Sequence, residues 1–179
     1  MKLLFLGDVL GSSGRKVIKA ELPGLREALE IDFVVANGEN AAGGFGLTRK
    51  TALELFDAGV DVLTGGNHTW DQREIVEFIR EDDRVLRPAN FPEGTPGSGV
   101  RVFETAKGEK VGVVNALGRV FMDPLDDPFH AVNMALNKFK LGRDCQAVFV
   151  DIHAEATSEK MAMGHYCDGR ASLVVGSHL

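Results

Sequence analysis

Thr64-Gly65-Gly66-Asn67-His68-Thr69-Trp70-Asp71 follows the apolar run Val60-Asp61-Val62-Leu63 and precedes an amphipathic run from Asp71 to Arg80. The order reads as strand, tight glycine turn, helix. Two glycines before Asn-His let the backbone turn sharply and present two polar side chains at a strand's carboxyl end. In open α/β sheets that end is where ligands bind. Taken alone, Asn and Gly are also ordinary turn residues.

Upstream, the same rhythm repeats. Lys2 to Leu6 predicts a first strand that stops at Gly7-Asp8. Ser12 or Ser13 is expected to cap the next helix, and Pro23-Gly24 to break it before Leu25 to Glu30. Phe33 to Ala36 predicts a buried strand ending at Asn37-Gly38-Glu39-Asn40. The glycine-rich loop Ala41 to Gly46 leads to Thr48, the expected N-cap of a helix from Arg49 to Ala58, and Asp61 to Leu63 predicts the third strand. This β-α-β-α-β-α order is the signature of a parallel sheet with helices on its faces.

Downstream the pattern changes. Arg87 to Pro92 and Gly94 to Gly99 read as a Pro/Gly-rich loop. Gly99 to Glu104 and Lys110 to Ala116 alternate around Lys107-Gly108-Glu109, as in a hairpin. Asp127 is placed to cap a helix from Phe129 to about Lys140. Ala147 to Asp151 predicts a buried strand ending at Ile152-His153, Ser158 to Tyr166 a helix, and Leu173 to Val175 a last strand ending at Gly176-Ser177-His178.

At 179 residues the chain can bury one substantial core and reads as a single domain, 1–179. Hydrophobic residues at 44% and charged residues at 26% are ordinary for a globular protein. A net charge of -6 argues against a nucleic-acid-coating protein. Cys145 and Cys167 form no spaced motif, so neither a disulfide framework nor a thiol zinc site is indicated. The N-terminal apolar run is too short to span a membrane, and a cytoplasmic location is expected.

Asp8, Glu39-Asn40, Asn67-His68, His153 and His178 each fall at the end of a predicted strand. Carboxylate, amide oxygen and imidazole together suit a divalent transition metal such as Mn or Fe. No cysteine is in the set, which weakens a structural zinc reading. The donors exceed one ion's needs, and a carboxylate such as Glu39 can bridge two ions about 3.5–4 Å apart, the two-metal arrangement of phosphoester hydrolysis.

Gly7-Asp8, Gly38-Glu39-Asn40, Gly66-Asn67-His68, an isolated His and a Gly-x-His resemble the calcineurin-like metallophosphoesterase pattern. Glu39 in the second motif, the run Ala36 to Gly44, and His153-Ala154-Glu155-Ala156-Thr157-Ser158-Glu159-Lys160 are similar to the bacterial YmdB-type phosphodiesterases. The resemblance runs from Met1 to His178. It implies an α/β sandwich of two mixed β-sheets flanked by helices. It further implies a first ion on Asp8, Glu39 and Asn40, and a second on Glu39, Asn67, His153 and His178. A hydroxide bridging the ions would be the nucleophile. Leu10 stands where the wider family has a His, and Asn40 takes that place. His68, outside the coordination shell, would protonate the leaving oxygen or stabilise charge on the phosphorane. The implied substrates are cyclic nucleotides, 2′,3′-cyclic mononucleotides above all. A phosphomonoesterase on small metabolites, and a metal- and nucleotide-binding regulator with little turnover, are the competing readings. RNA-related regulation and homo-oligomers are compatible with the resemblance; a stable nucleic-acid complex and a membrane are not expected.

The family motif at the end is Gly-x-His-x-His, and the sequence stops at Leu179, before the second His. That leaves three candidate protein ligands for the first ion and an expected open edge on the second sheet. Among the other residues, Trp70 is expected to anchor its helix, and His130 and His165 to serve surface or packing roles. Arg87 and Phe91 are candidates for the pocket mouth. Ser12, Ser13 and Arg15 are candidates for a phosphate contact or for plain capping.

Overall fold

The computed structural model describes residues 1–178, which gather into two compact units, Met1–Val85 and Leu86 onward. The first unit contains β1 (Leu3–Leu6), α1 (Gly11–Leu29), β2 (Phe33–Asn37), α2 (Arg49–Asp57), β3 (Val62–Thr64) and α3 (Ile75–Glu81). A short β4 (Val85–Leu86) lies at the unit boundary and completes a sheet of order β1-β2-β3-β4. β1 pairs with β2, and β2 with β3, in parallel register. All five residues of β2 are buried, as a strand covered on both faces requires. Ile18 and Leu22 of α1, Leu55 and Phe56 of α2, and Ile75, Phe78 and Ile79 of α3 share one apolar cluster with Val34, Ala36 and Leu63. Each large side chain so buried contributes about 1.5–3 kcal/mol. Trp70 packs against this cluster, the anchoring role expected of it.

Three local expectations change. α1 does not break at Pro23 but runs unbroken through it. Pro23 and Lys19 are both exposed, so the backbone hydrogen bond that proline cannot make falls on the solvent side, where water can serve the carbonyl. Burial of Ile18 and Leu22, with Arg26 bound to Asp61 at 3.0 Å, holds both halves of the helix to one surface. Neither Ser12 nor Ser13 caps α1. Its N-cap is Leu10 without a side-chain bond, and the Ser13 hydroxyl donates back to the Leu10 carbonyl at 3.3 Å. The helix after β3 starts only at Ile75, because residues 66–74 are held in turns. α2 begins as expected: Thr48 accepts from the Thr51 N–H, and Thr51 reciprocates.

The second unit contains β5 (Val100–Glu104), β6 (Lys110–Leu117), α4 (Pro128–Lys138), β7 (Ala147–His153), α5 (Thr157–Tyr166) and β8 (Leu173–Ser177). Its sheet has the order β5-β6-β7-β8 and is mixed: β5 and β6 form the expected antiparallel hairpin, while β6–β7 and β7–β8 are parallel. Gly108, at φ 77°, closes the hairpin turn. Asp127 caps α4 by accepting from the Phe129 N–H at 2.9 Å. α4 and α5 pack on β6 and β7 through Val132, Leu136, Met163, Val114, Val150 and Ile152. Arg87 is a structural clamp. It is buried and donates to the carbonyls of Pro88 (2.7 Å), Pro96 (3.0 Å) and Thr95 (3.3 Å), and burial pulls its guanidinium below the usual arginine pKa. No helix among the described residues is long and apolar enough to cross a membrane.

Candidate active site

In the first unit the loops after β1, β2 and β3 are sewn to one another by their backbones. The Val9 N–H donates to Asn37 O and the Gly11 N–H to Asn40 O, both at 2.9 Å, which ties the β1 loop to the β2 loop. The Gly38 N–H donates to Thr64 O at 2.9 Å, and Asn37 Nδ2 to Gly65 O at 3.1 Å, which ties the β2 loop to the β3 loop. Parallel register brings these strand ends level, so Asp8, Glu39-Asn40 and Asn67-His68 converge at one end of the sheet. A carboxylate oxygen of Asp8 lies within 4.8 Å of one of Glu39.

Asp8 holds a φ of 37°, a conformation that costs a residue with a Cβ about 1–2 kcal/mol. Such strain gathers at functional sites, where surrounding structure over-determines the backbone. Here the Val9 and Gly11 amides, pinned to the β2 loop, leave Asp8 little choice. Glu39 and Asn40 are almost wholly buried, at 3% and 4% exposure, which is costly for a carboxylate unless it is hydrogen-bonded. Glu39 Oε2 accepts the His68 backbone N–H at 3.1 Å, and Oε1 accepts Asn40 Nδ2 at 3.2 Å. With Nδ2 committed to Glu39, Oδ1 is the atom Asn40 would offer a cation.

The β3 loop is closed by Thr69, whose hydroxyl accepts from the Gly66 N–H at 3.0 Å and donates to Gly66 O at 2.7 Å. That turn sets Asn67 and His68 half-exposed at the sheet's end. His68 Nδ1 meets Asp71 Oδ2 at 2.7 Å, and Phe45 stands edge-on to the ring at 5.2 Å between centroids. This fixes the imidazole plane and turns Nε2 away from Asp71. Sequence reading did not pair Asp71 with His68, although a spacing of three residues after a tight turn carried that signal. Arg15 is held by Glu54 at 2.9 Å and by the Ala41 carbonyl, so it buttresses the glycine-rich loop.

In the second unit His153 ends β7 and is fully buried, and His178 follows β8. Their rings lie 5.0 Å apart between centroids, tilted by 33°. His178 Nδ1 meets Glu155 Oε2 at 3.2 Å. His153 Nδ1 lies 3.0 Å from Ser177 Oγ, which donates to Asp151 Oδ1 at 2.7 Å. Neither Asp151 nor Ser177 was singled out from the sequence as a functional residue. The alternation that puts residues 151 and 153 on one face of β7 was the available signal. His130 and His165 are exposed, in keeping with the surface roles expected of them.

A family model described as YmdB-like protein matches residues 4–179. A curated relative from Bacillus subtilis (strain 168), named 2′,3′-cyclic-nucleotide 2′-phosphodiesterase, is 48% identical over 178 residues, covering 99% of this chain and 66% of the relative. The crystal structure of a hypothetical protein from Thermus thermophilus superposes with a TM-score of 0.91 at 48% identity, over 99% of this chain and 68% of that one. The crystal structure of a novel phosphatase from Mycoplasma pneumoniae gives a TM-score of 0.89 at 36% identity, over 99% and 64%. The chain spans about two thirds of the length of the curated relatives it matches, 66% of one and 64% of others.

Proposed function

The chain belongs to the YmdB-like family, and from that membership we propose that it is a metal-dependent phosphoester hydrolase acting on 2′,3′-cyclic nucleotides. The observation that carries the proposal is the 48% identity, across 99% of this chain, to a relative named for that activity. On this reading the chain acts in the cytoplasm as part of a metallophosphoesterase with a dinuclear centre. Asp8, Glu39 and Asn40 would hold one ion, and Glu39, Asn67, His153 and His178 would hold the other. Donor chemistry supports this fit, because two carboxylates, two amide oxygens and two imidazoles without a thiolate suit Mn or Fe. Two such ions would supply Lewis acidity and a hydroxide nucleophile at neutral pH.

The chain's own residues do the rest. Glu39 is fixed by the His68 N–H and Asn40 Nδ2, so its orientation is set before any ligand arrives. His68, with Nδ1 against Asp71, keeps Nε2 for the substrate. As a hydroxide oxygen bonds to phosphorus and the bond from phosphorus to O2′ breaks, a protonated His68 gives O2′ its proton. The product is a 3′-monophosphate. The test is Mn-dependent hydrolysis of 2′,3′-cyclic AMP followed by chromatography, with 3′-AMP expected as the product. A phosphomonoesterase is the second reading, favoured by the phosphatase named among the similar structures. Turnover of p-nitrophenyl phosphate but not of its bis ester or the cyclic nucleotide would select it.

A further inference from the structure

We propose that Asp151 and Ser177 are positioning residues that fix the tautomer of His153, so that Nε2 is the atom it offers to a metal ion. The inference rests on the metal-centre reading above for its purpose, but its geometry stands by itself. Asp151 and His153 are two residues apart on β7 and face the same way. Parallel pairing sets Ser177 of β8 beside His153. All three side chains are buried, at 0%, 4% and 0% exposure for Asp151, Ser177 and His153.

Proton bookkeeping then decides the roles. A carboxylate only accepts, so the 2.7 Å contact between Ser177 Oγ and Asp151 Oδ1 takes the one proton of the Ser177 hydroxyl. The 3.0 Å contact between Ser177 Oγ and His153 Nδ1 must therefore be donated by the imidazole. In the neutral ring this puts the proton of His153 on Nδ1 and the lone pair on Nε2. Histidines that bind metals commonly have the other ring nitrogen fixed in this way, by a carboxylate, carbonyl or water. Here a serine hydroxyl is interposed between the carboxylate and the ring. The backbone completes the frame: Gly118 N–H donates to His153 O at 2.8 Å, and Ala154 N–H to Ser177 O at 3.0 Å.

The direct test reads the tautomer in the metal-free protein. Long-range proton–nitrogen correlation NMR on histidine-labelled protein, with His153 assigned by comparison with His153→Gln, should show a protonated Nδ1 and an unprotonated Nε2. A His153 protonated on Nε2 overturns the proposal, whatever the protein does with metal. Calorimetric titration with Mn gives the functional consequence. Ser177→Ala should weaken Mn binding about 10- to 100-fold, and Ser177→Thr, which keeps the hydroxyl, should restore it. Wild-type affinity in Ser177→Ala would also overturn the positioning role. Failure of the wild-type protein to bind any Mn would instead count against the metal-centre reading, and leave the tautomer result to judge this one.

Discussion

Asp8 shows how a site demands something that local preference resists. Its φ of 37° would suit glycine, yet a carboxylate occupies it. Asp8→Gly should leave metal-free stability within about 1 kcal/mol of wild type, since relief of Cβ strain offsets the added freedom of the unfolded chain. The same substitution should abolish binding of one ion. Chelator-treated urea denaturation and Mn titration check both halves; a stability loss well beyond that margin would remove the strain account. His68→Ala should keep both ions and lose about 10²- to 10⁴-fold in turnover, the usual worth of a positioned acid or base. Loss of metal in that variant would put His68 inside the coordination shell. Asn67→Ala should lose metal together with activity. The polar residues at strand ends were legible in the sequence because each stands beside a glycine or an apolar strand. Asp71, Asp151 and Ser177 were not, since their partners are fixed by a tight turn or by pairing between β7 and β8.

At the scale of elements, periodicity located every strand except the two-residue β4, and most helices, to within a residue or two. Thr48 and Asp127 were legible as caps because their side chains act on backbone amides only two or three residues away. Thr48→Ala should cost about 1 kcal/mol by thermal unfolding. Pro23 was misleading for the opposite reason. Its local cost is real, but burial of Ile18 and Leu22 outweighs it. Pro23→Ala should therefore stabilise the protein by about 1–2 kcal/mol, the gain in helix propensity less the loosening of the unfolded chain. A destabilised variant would mean that the ring makes contacts worth more than the missing hydrogen bond. Gly118 is equally hard to read from sequence: a Cβ there would collide with Glu159 and Ala154, and Glu159 must reach the Arg119 and Val120 amides through that space.

For the whole molecule, the two free cysteines report on the second unit. Burial raises the Cys145 thiol, helped by the Asp144 charge, and burial also raises Cys167, against a smaller opposing pull from Arg170. Both should resist alkylation at pH 8 in the native protein and react together as that unit unfolds. Rapid native labelling of either would contradict the packing described for β7, α4 and α5. In the first unit the Arg84 guanidinium, bonded to Asp82 at 2.6 Å, holds that carboxyl below its ordinary range. The stability this gives is present above the unfolded carboxyl's pKa and is lost as pH falls below about 4; the pair is partly exposed, so the loss is under about 1 kcal/mol. Asp82→Asn should flatten that part of the acid unfolding curve. The central claim, a dinuclear phosphodiesterase centre, is tested most directly by measuring bound metal and cyclic-nucleotide turnover on the same preparation. The account predicts two Mn or Fe ions per chain and conversion of 2′,3′-cyclic AMP to 3′-AMP. A folded protein that binds no divalent ion and leaves the cyclic nucleotide intact would contradict it.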